Sequence, residues 1–191
     1  MVNCNIISFP RSGQHLLSDM LKYVLTEHNL PYQYCEFYGC CQKVPCVKKS
    51  NFMKNHDFDN DYTILPNQKY IVLFRKNIVL QLETFYRFHI KANSLPYNIN
   101  DLKTFCNLQK PYYHRFIQKW VDNDNENILK IEYYDLVKKP KDYMRKIMEL
   151  LYPDIELREI VLENMINQLK IEVKHTMNTT IYIELKKNLL L

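Results

Sequence analysis

Three groups of residues in this chain have types and spacings suited to chemistry. The first is Phe9-Pro10-Arg11-Ser12-Gly13-Gln14-His15, directly after the apolar run Cys4-Asn5-Ile6-Ile7-Ser8. A strand that turns at a proline and opens a helix presents unpaired N–H groups and partial positive charge, which suits a phosphate. Gly13 lets backbone approach a ligand, Ser12 can cap the helix, and Arg11 adds a full charge. An ordinary strand-to-helix turn with a surface arginine would read the same. The second group is Lys54-Asn55-His56-Asp57, an ammonium and an imidazole that titrates near neutral pH. His56 is the best candidate for a general base, with Asp57 and His15 behind it; the plain alternative is a surface histidine at a loop start. The third is Cys35-x4-Cys40-Cys41-x4-Cys46. A zinc site, disulfides and buried reduced thiols compete there. Structural zinc usually takes CxxC pairs, which this spacing lacks, so metal ranks below the other two.

These groups must be positioned by elements legible in the apolar pattern. Leu16, Leu17, Met20, Leu21, Val24 and Leu25 recur at helical spacing, predicting a helix over residues 12 to 29. Tyr32 to Phe37 and Asn51 to Phe58 read as short extended pieces. Lys69 to Phe74 is a continuous apolar run that fits a strand buried on both faces of a parallel sheet. Arg75 follows it, at the end where open α/β sheets bind ligands, although a structural ion pair with Glu83 would also explain it. A helix is predicted from Ile78 to about residue 92, and another from Asn100 to Asp122, interrupted at Pro111. Trp120 lies on its apolar face, either as core or as a stacking surface for a base. A strand at Asn127 to Ile131 leads into helices over 140 to 151 and 155 to 170. Strands alternating with helices predict a three-layer α/β fold with a mainly parallel central sheet.

The chain has 191 residues, 47% of them hydrophobic, enough for one core and a single domain over 1–191. Its net charge of +5 suits an anionic ligand, but the lysines are scattered rather than gathered in the stripe expected of a nucleic-acid binder. No apolar run approaches the roughly 20 residues of a membrane span, and the chain opens directly into its first strand. The expectation is a cytoplasmic protein without nucleic-acid or membrane partners. GxxxxGK[ST] is absent, which disfavours a P-loop nucleotide kinase.

The first loop resembles the 5′-phosphosulfate loop of sulfotransferases, which runs aromatic, Pro, Lys or Arg, Ser, Gly and then usually two hydroxyl residues; Gln14 and His15 stand in the hydroxyl positions. Lys54-Asn55-His56 resembles the family's Lys-Thr-His segment, whose histidine is the catalytic base. Tyr70 to Arg75 with the following helix resembles the strand and arginine that bind the donor's 3′-phosphate. Tyr133-Tyr134-Asp135-Leu136 before Pro140 resembles the later Tyr-Glu-Asp-Leu segment.

The resemblance implies a P-loop-like fold and transfer of a sulfuryl group from 3′-phosphoadenosine 5′-phosphosulfate (PAPS) to a small-molecule or glycan acceptor, with no metal required. It implies catalytic roles for His56, Lys54 and Arg11, and donor binding by Arg11, Ser12, Gly13, Gln14, His15, Arg75 and Thr84. Glu83 stands where the family usually has the 3′-phosphate serine, and the C-terminal Arg-Lys-Gly segment is missing, with only Lys174 and His175 in the tail. These departures keep a catalytically degenerate nucleotide-binding protein as an alternative.

Overall fold

The computed structural model describes residues 3–43, 46–171, 183 and 185–187, so Lys174 and His175 lie outside the described residues. Five strands form one sheet: β1 (Cys4–Ser8), β2 (Tyr34–Cys35), β3 (Phe52–Asn55), β4 (Lys69–Phe74) and β5 (Ile128–Glu132). Their order is β2-β3-β1-β4-β5, and every pairing is parallel.

Side-chain alternation along β4 sends Ile71 and Leu73 to one face and Tyr70, Val72 and Phe74 to the other. The first face packs against α1 (Gln14–Glu27), α5 (Pro140–Leu151) and α6 (Glu159–Leu169), and the second against α2 (Ile78–Ala92) and α3 (Ile99–Phe116). The short α4 (Tyr133–Lys138) follows β5. The sheet is therefore the middle of three layers, as its continuous apolar strands predict. Among the described residues no helix is long and apolar enough to cross a membrane.

From β1 the chain builds β2 and β3 on one side, then crosses to lay β4 and β5 on the other. That reversal opens a crevice at the carboxyl end of β1, the place where such sheets bind ligands.

Two local expectations change. Pro111 does not interrupt α3, which runs through it to Phe116 and continues as a π-helical segment, Ile117–Val121. A proline inside a helix costs ~3 kcal/mol. Burying Tyr112, Tyr113, Phe116 and Trp120 is worth several times that, at roughly 1.5–3 kcal/mol per large apolar side chain. Ser12 is not a helix cap either. The N-cap is Gly13, at φ 90°, with no side-chain cap bond. That left-handed φ suits glycine, and a β-carbon there would overlap the Tyr133 ring.

Asp57 is a fastener rather than a spare base. It is buried, and its Oδ2 accepts from Lys119 Nζ (2.7 Å) and Trp120 Nε1 (2.8 Å), while Oδ1 accepts from the Tyr62 amide (2.9 Å). Trp120 is accordingly core, packed on Tyr70 and Tyr62. Replacing Asp57 with alanine leaves the Trp120 donor and the Lys119 charge without their acceptor and should destabilise the fold by roughly 3 kcal/mol. Thermal denaturation should show this as a drop of roughly 6–12 °C; an unchanged melting temperature would remove Asp57 from this role.

Candidate active site

The turn after β1 is built from two left-handed residues, Arg11 (φ 69°) and Gly13 (φ 90°), and is tied to its neighbours rather than left as a free loop. The Phe9 ring stacks on Tyr112 with centroids 4.7 Å apart, and its amide donates to Leu73 O on β4. Gln81 of α2 holds the rest: its Oε1 accepts from Ser12 Oγ at 2.9 Å, and its Nε2 donates to the Pro10 carbonyl.

Ser12 therefore spends its groups inside the protein. Its amide donates to Phe9 O, so in this structure it builds the turn. Gln14 likewise turns its side chain inward, accepting from Ser8 Oγ and donating to Tyr34 Oη. What reaches the crevice from this segment is Arg11, the backbone of Gly13, the start of α1 at Gln14 and the exposed His15. The first amides of a helix lack intrahelical partners, and no side chain caps them here.

A cleft of about 480 Å³ opens at this point, lined by Arg11, Gly13, Gln14, His15, Lys54, His56, Arg75 and Thr84 together with Glu36 and several aromatic rings. Seven predicted site residues besides Gly13 thus converge on one crevice, from β3, α1, α2 and the turns that follow β1, β3 and β4. Ser12 is the predicted residue that does not line it.

His56 lies just beyond β3. Its Nδ1 is 2.7 Å from the Ser8 carbonyl oxygen, which can only accept, so Nδ1 carries the proton and Nε2 keeps its lone pair. Burial pulls its pKa down from 6.5 to about 4, with Lys54 and His15 pushing the same way against the Ser8 contact and Glu36. Lys54 Nζ rests on Glu36 Oε2 at 2.9 Å.

Arg75 is 4% exposed, yet among the described residues no carboxylate lies within ion-pair distance. Its Nε is buried without a hydrogen-bond partner, and Nη1 makes one long contact, 3.4 Å, to Thr84 Oγ1. The guanidinium lies over the Tyr133 ring, 4.2 Å from its centroid. Burial lowers its pKa, opposed by Tyr134, Tyr133 and Glu132. The ion pair with Glu83 does not form. Glu83 is buried and pairs with Arg87 one turn along, which leaves Thr84 facing the cleft.

Several residues with positioning roles were not legible in advance. Tyr112 Oη donates to His56 O (2.6 Å) and Tyr113 Oη to Arg75 O (2.7 Å), contacts that span the sheet and leave no local pattern. Gln81 looks like any polar position in a helix. Tyr133 had a signal, since it opens the Tyr133-Tyr134-Asp135-Leu136 segment, but nothing in that segment says it floors the guanidinium.

In overall structure the chain is similar to mouse sulfotransferase SULT7A1, solved in complex with PAP, with a TM-score of 0.69 at 15% identity, covering 88% of this chain and 64% of that one. It thus spans just under two thirds of that protein's length. Lesser similarity, with TM-scores of 0.46 and 0.47, is found to the sulfotransferase domain from the curacin biosynthetic pathway and to that of the Synechococcus PCC 7002 olefin synthase. The former is 14% identical over 99% of this chain and 97% of that one, the latter 15% identical over 100% and 95%. No curated protein matches in sequence. Residues 38–156, which hold Lys54, His56, Arg75 and Thr84, match the model of the sulfotransferase family over more than half the chain, and the protein belongs to that family.

Proposed function

We propose that the chain, acting as one unit, transfers a sulfuryl group from PAPS to the hydroxyl of a small-molecule acceptor. The observation that carries this reading is Arg75, a buried guanidinium with an orphaned Nε and, among the described residues, no carboxylate within ion-pair distance, facing a cleft at the sheet's switch point. A buried cation is costly unless paired, and an anionic ligand would complete it. Family membership and the PAP complex of a protein of similar fold support the donor's identity.

In this reading Arg75 and Thr84 take the 3′-phosphate, while the amides of Gly13, Gln14 and His15 take the 5′-phosphate. Lys54 leaves Glu36 and offsets charge on the moving group, and Arg11 offsets charge on the leaving oxygen. His56 Nε2 accepts the acceptor's proton as the acceptor oxygen bonds to sulfur; the bond from sulfur to the phosphate oxygen breaks, and its electron pair stays with the nucleotide. Tyr38, Phe58, Phe85 and Phe88 line the same cleft and would favour an acceptor with an apolar body. The electrostatics are supplied by side chains and backbone, so this transfer calls for no metal.

The decisive experiment pairs two variants. Arg75→Ala should weaken binding of adenosine 3′,5′-bisphosphate (PAP) by ~10²-fold in calorimetry, as loss of a buried charge-assisted contact does. His56→Ala should keep that affinity while kcat falls ~10²–10⁴-fold. Unchanged affinity in the first would overturn the donor site, and full turnover in the second would remove the base.

Glu36→Gln frees Lys54 and removes a carboxylate from beside the donor, so PAP should bind roughly 2–5-fold tighter. Weaker binding would show that Glu36 contributes directly.

Because the folded pKa of His56 lies below 6.5, the unfolded chain binds more protons between 6.5 and about 4. Stability should therefore fall as pH drops through that window, and the acid limb of kcat/KM should lie below 6.5. An NMR titration should place the ring in the lower part of the range and move it upward once PAP brings negative charge nearby. A free-protein midpoint at 6.5 would contradict the buried tautomer.

A further inference from the structure

Outside the cleft's chemistry, the chain between β2 and β3 carries no helix or strand among the described residues beyond the 3₁₀ turn Phe37–Gly39. What gathers it is sulfur. Cys35, Cys46 and Met53 form its small core, with Cys40, Cys41, Phe37 and Tyr62 packed around them. The four cysteines are free thiols whose Sγ atoms all lie within 4.8 Å of one another, and Cys41 and Cys46 are 3.6 Å apart. A tetrahedral zinc ion with bonds of about 2.3 Å needs sulfurs roughly 3.8 Å apart, so shifts of about 1 Å or less would close the set.

We propose that Cys35, Cys40, Cys41 and Cys46 bind one structural zinc ion as four thiolates. The ligand chemistry selects it: four soft donors, with no carboxylate or imidazole in the group. Cys35 and Cys46 are buried while Cys40 and Cys41 are half-buried, so the metal has a way in from solvent. Lys43, Lys48 and Lys49 in the same segment offset the net negative charge of a tetrathiolate centre, and the Ser50 hydroxyl is 3.6 Å from Cys46 Sγ as an outer partner. Binding replaces four thiol protons with Zn²⁺ and changes no oxidation state.

The ranking from sequence rested on CxxC spacing along the chain. In space the adjacent pair Cys40-Cys41 reaches back to Cys35 and on to Cys46, which linear spacing cannot show. The site would also brace the cleft. Glu36 and Tyr38 lie between the first two ligands, Glu36 holding Lys54 and Tyr38 stacking beside His56 with centroids 6.2 Å apart.

The test uses the full chain, purified with reductant from zinc-supplemented cells. Elemental analysis should find about one zinc per chain, and cobalt(II) titration of the depleted protein should give the intense visible bands of tetrahedral tetrathiolate coordination. Chelation should lower the melting temperature, and added zinc should restore it. The double variant Cys40→Ser, Cys41→Ser should lose both metal and cobalt bands while keeping its far-ultraviolet circular dichroism. Should it fail to fold, the wild-type cobalt titration decides alone. A protein that takes up no zinc anaerobically while all four thiols react with a thiol reagent would overturn the proposal. So would intact-mass evidence for disulfides among the four in freshly isolated protein.

Discussion

Two adjacent hydroxyls on one helix govern the geometry of the cleft. Tyr112 and Tyr113 hold the backbone carbonyls of His56 and Arg75, which lie beyond β3 and β4, the strands on either side of β1. A single rigid element thereby sets how far the imidazole stands from the guanidinium, and the turn between them is caught from the same direction by the Phe9 rings-on-rings packing. Both tyrosines follow Pro111 directly. Had the helix broken there, as a proline usually forces, neither hydroxyl would reach its carbonyl; packing of α3 against the sheet keeps the helix intact.

The charges around the cleft are arranged unevenly, and the imbalance is informative. Asp57 and Glu83 are buried and answered by cations, Lys119 and Arg87, away from the cleft. Among the described residues Lys54 is answered by one half-exposed carboxylate, and Arg75 by aromatic faces and a threonine. Aromatic contact stabilises a guanidinium by about 1–2 kcal/mol, well short of what removing it from water costs. The surplus of positive charge is thus concentrated where the helix start already offers unpaired amides.

Much of this was legible in the sequence, for identifiable reasons. The strand Lys69–Phe74 announced itself because a buried parallel strand has no polar face to blur the pattern. Arg75 followed from the rule about where strands of a parallel sheet end, whereas the convergence of Lys54, His56 and Thr84 on the same cleft was implied by the resemblance to the family's motifs. The fate of Ser12 and Gln14 could not be read, because each is claimed by a partner from another layer or strand: Gln81 for one, Ser8 and Tyr34 for the other. Asp57 looked like a base because it neighbours His56, yet a left-handed backbone (φ 49°) sends its carboxylate into the core instead. Glu83 caused concern for the same reason in reverse, since position along a helix does not say which neighbour one turn away will claim it.

The place of β1 in the sheet bears on how the molecule comes into being. It precedes both of its partners along the chain, pairing with Phe52–Asn55 on one side and Lys69–Leu73 on the other, so its first edge waits for β3 and its second for β4. Until β3 is in place Cys4 to Ser8 is a short, apolar, doubly unpaired strand, and it keeps one open edge until β4 joins, the kind of edge that associates with other chains. Non-local pairing of this order folds slowly. The residues of β1 therefore meet two demands, setting the turn in the finished sheet and keeping an unpaired apolar strand from associating before that sheet exists.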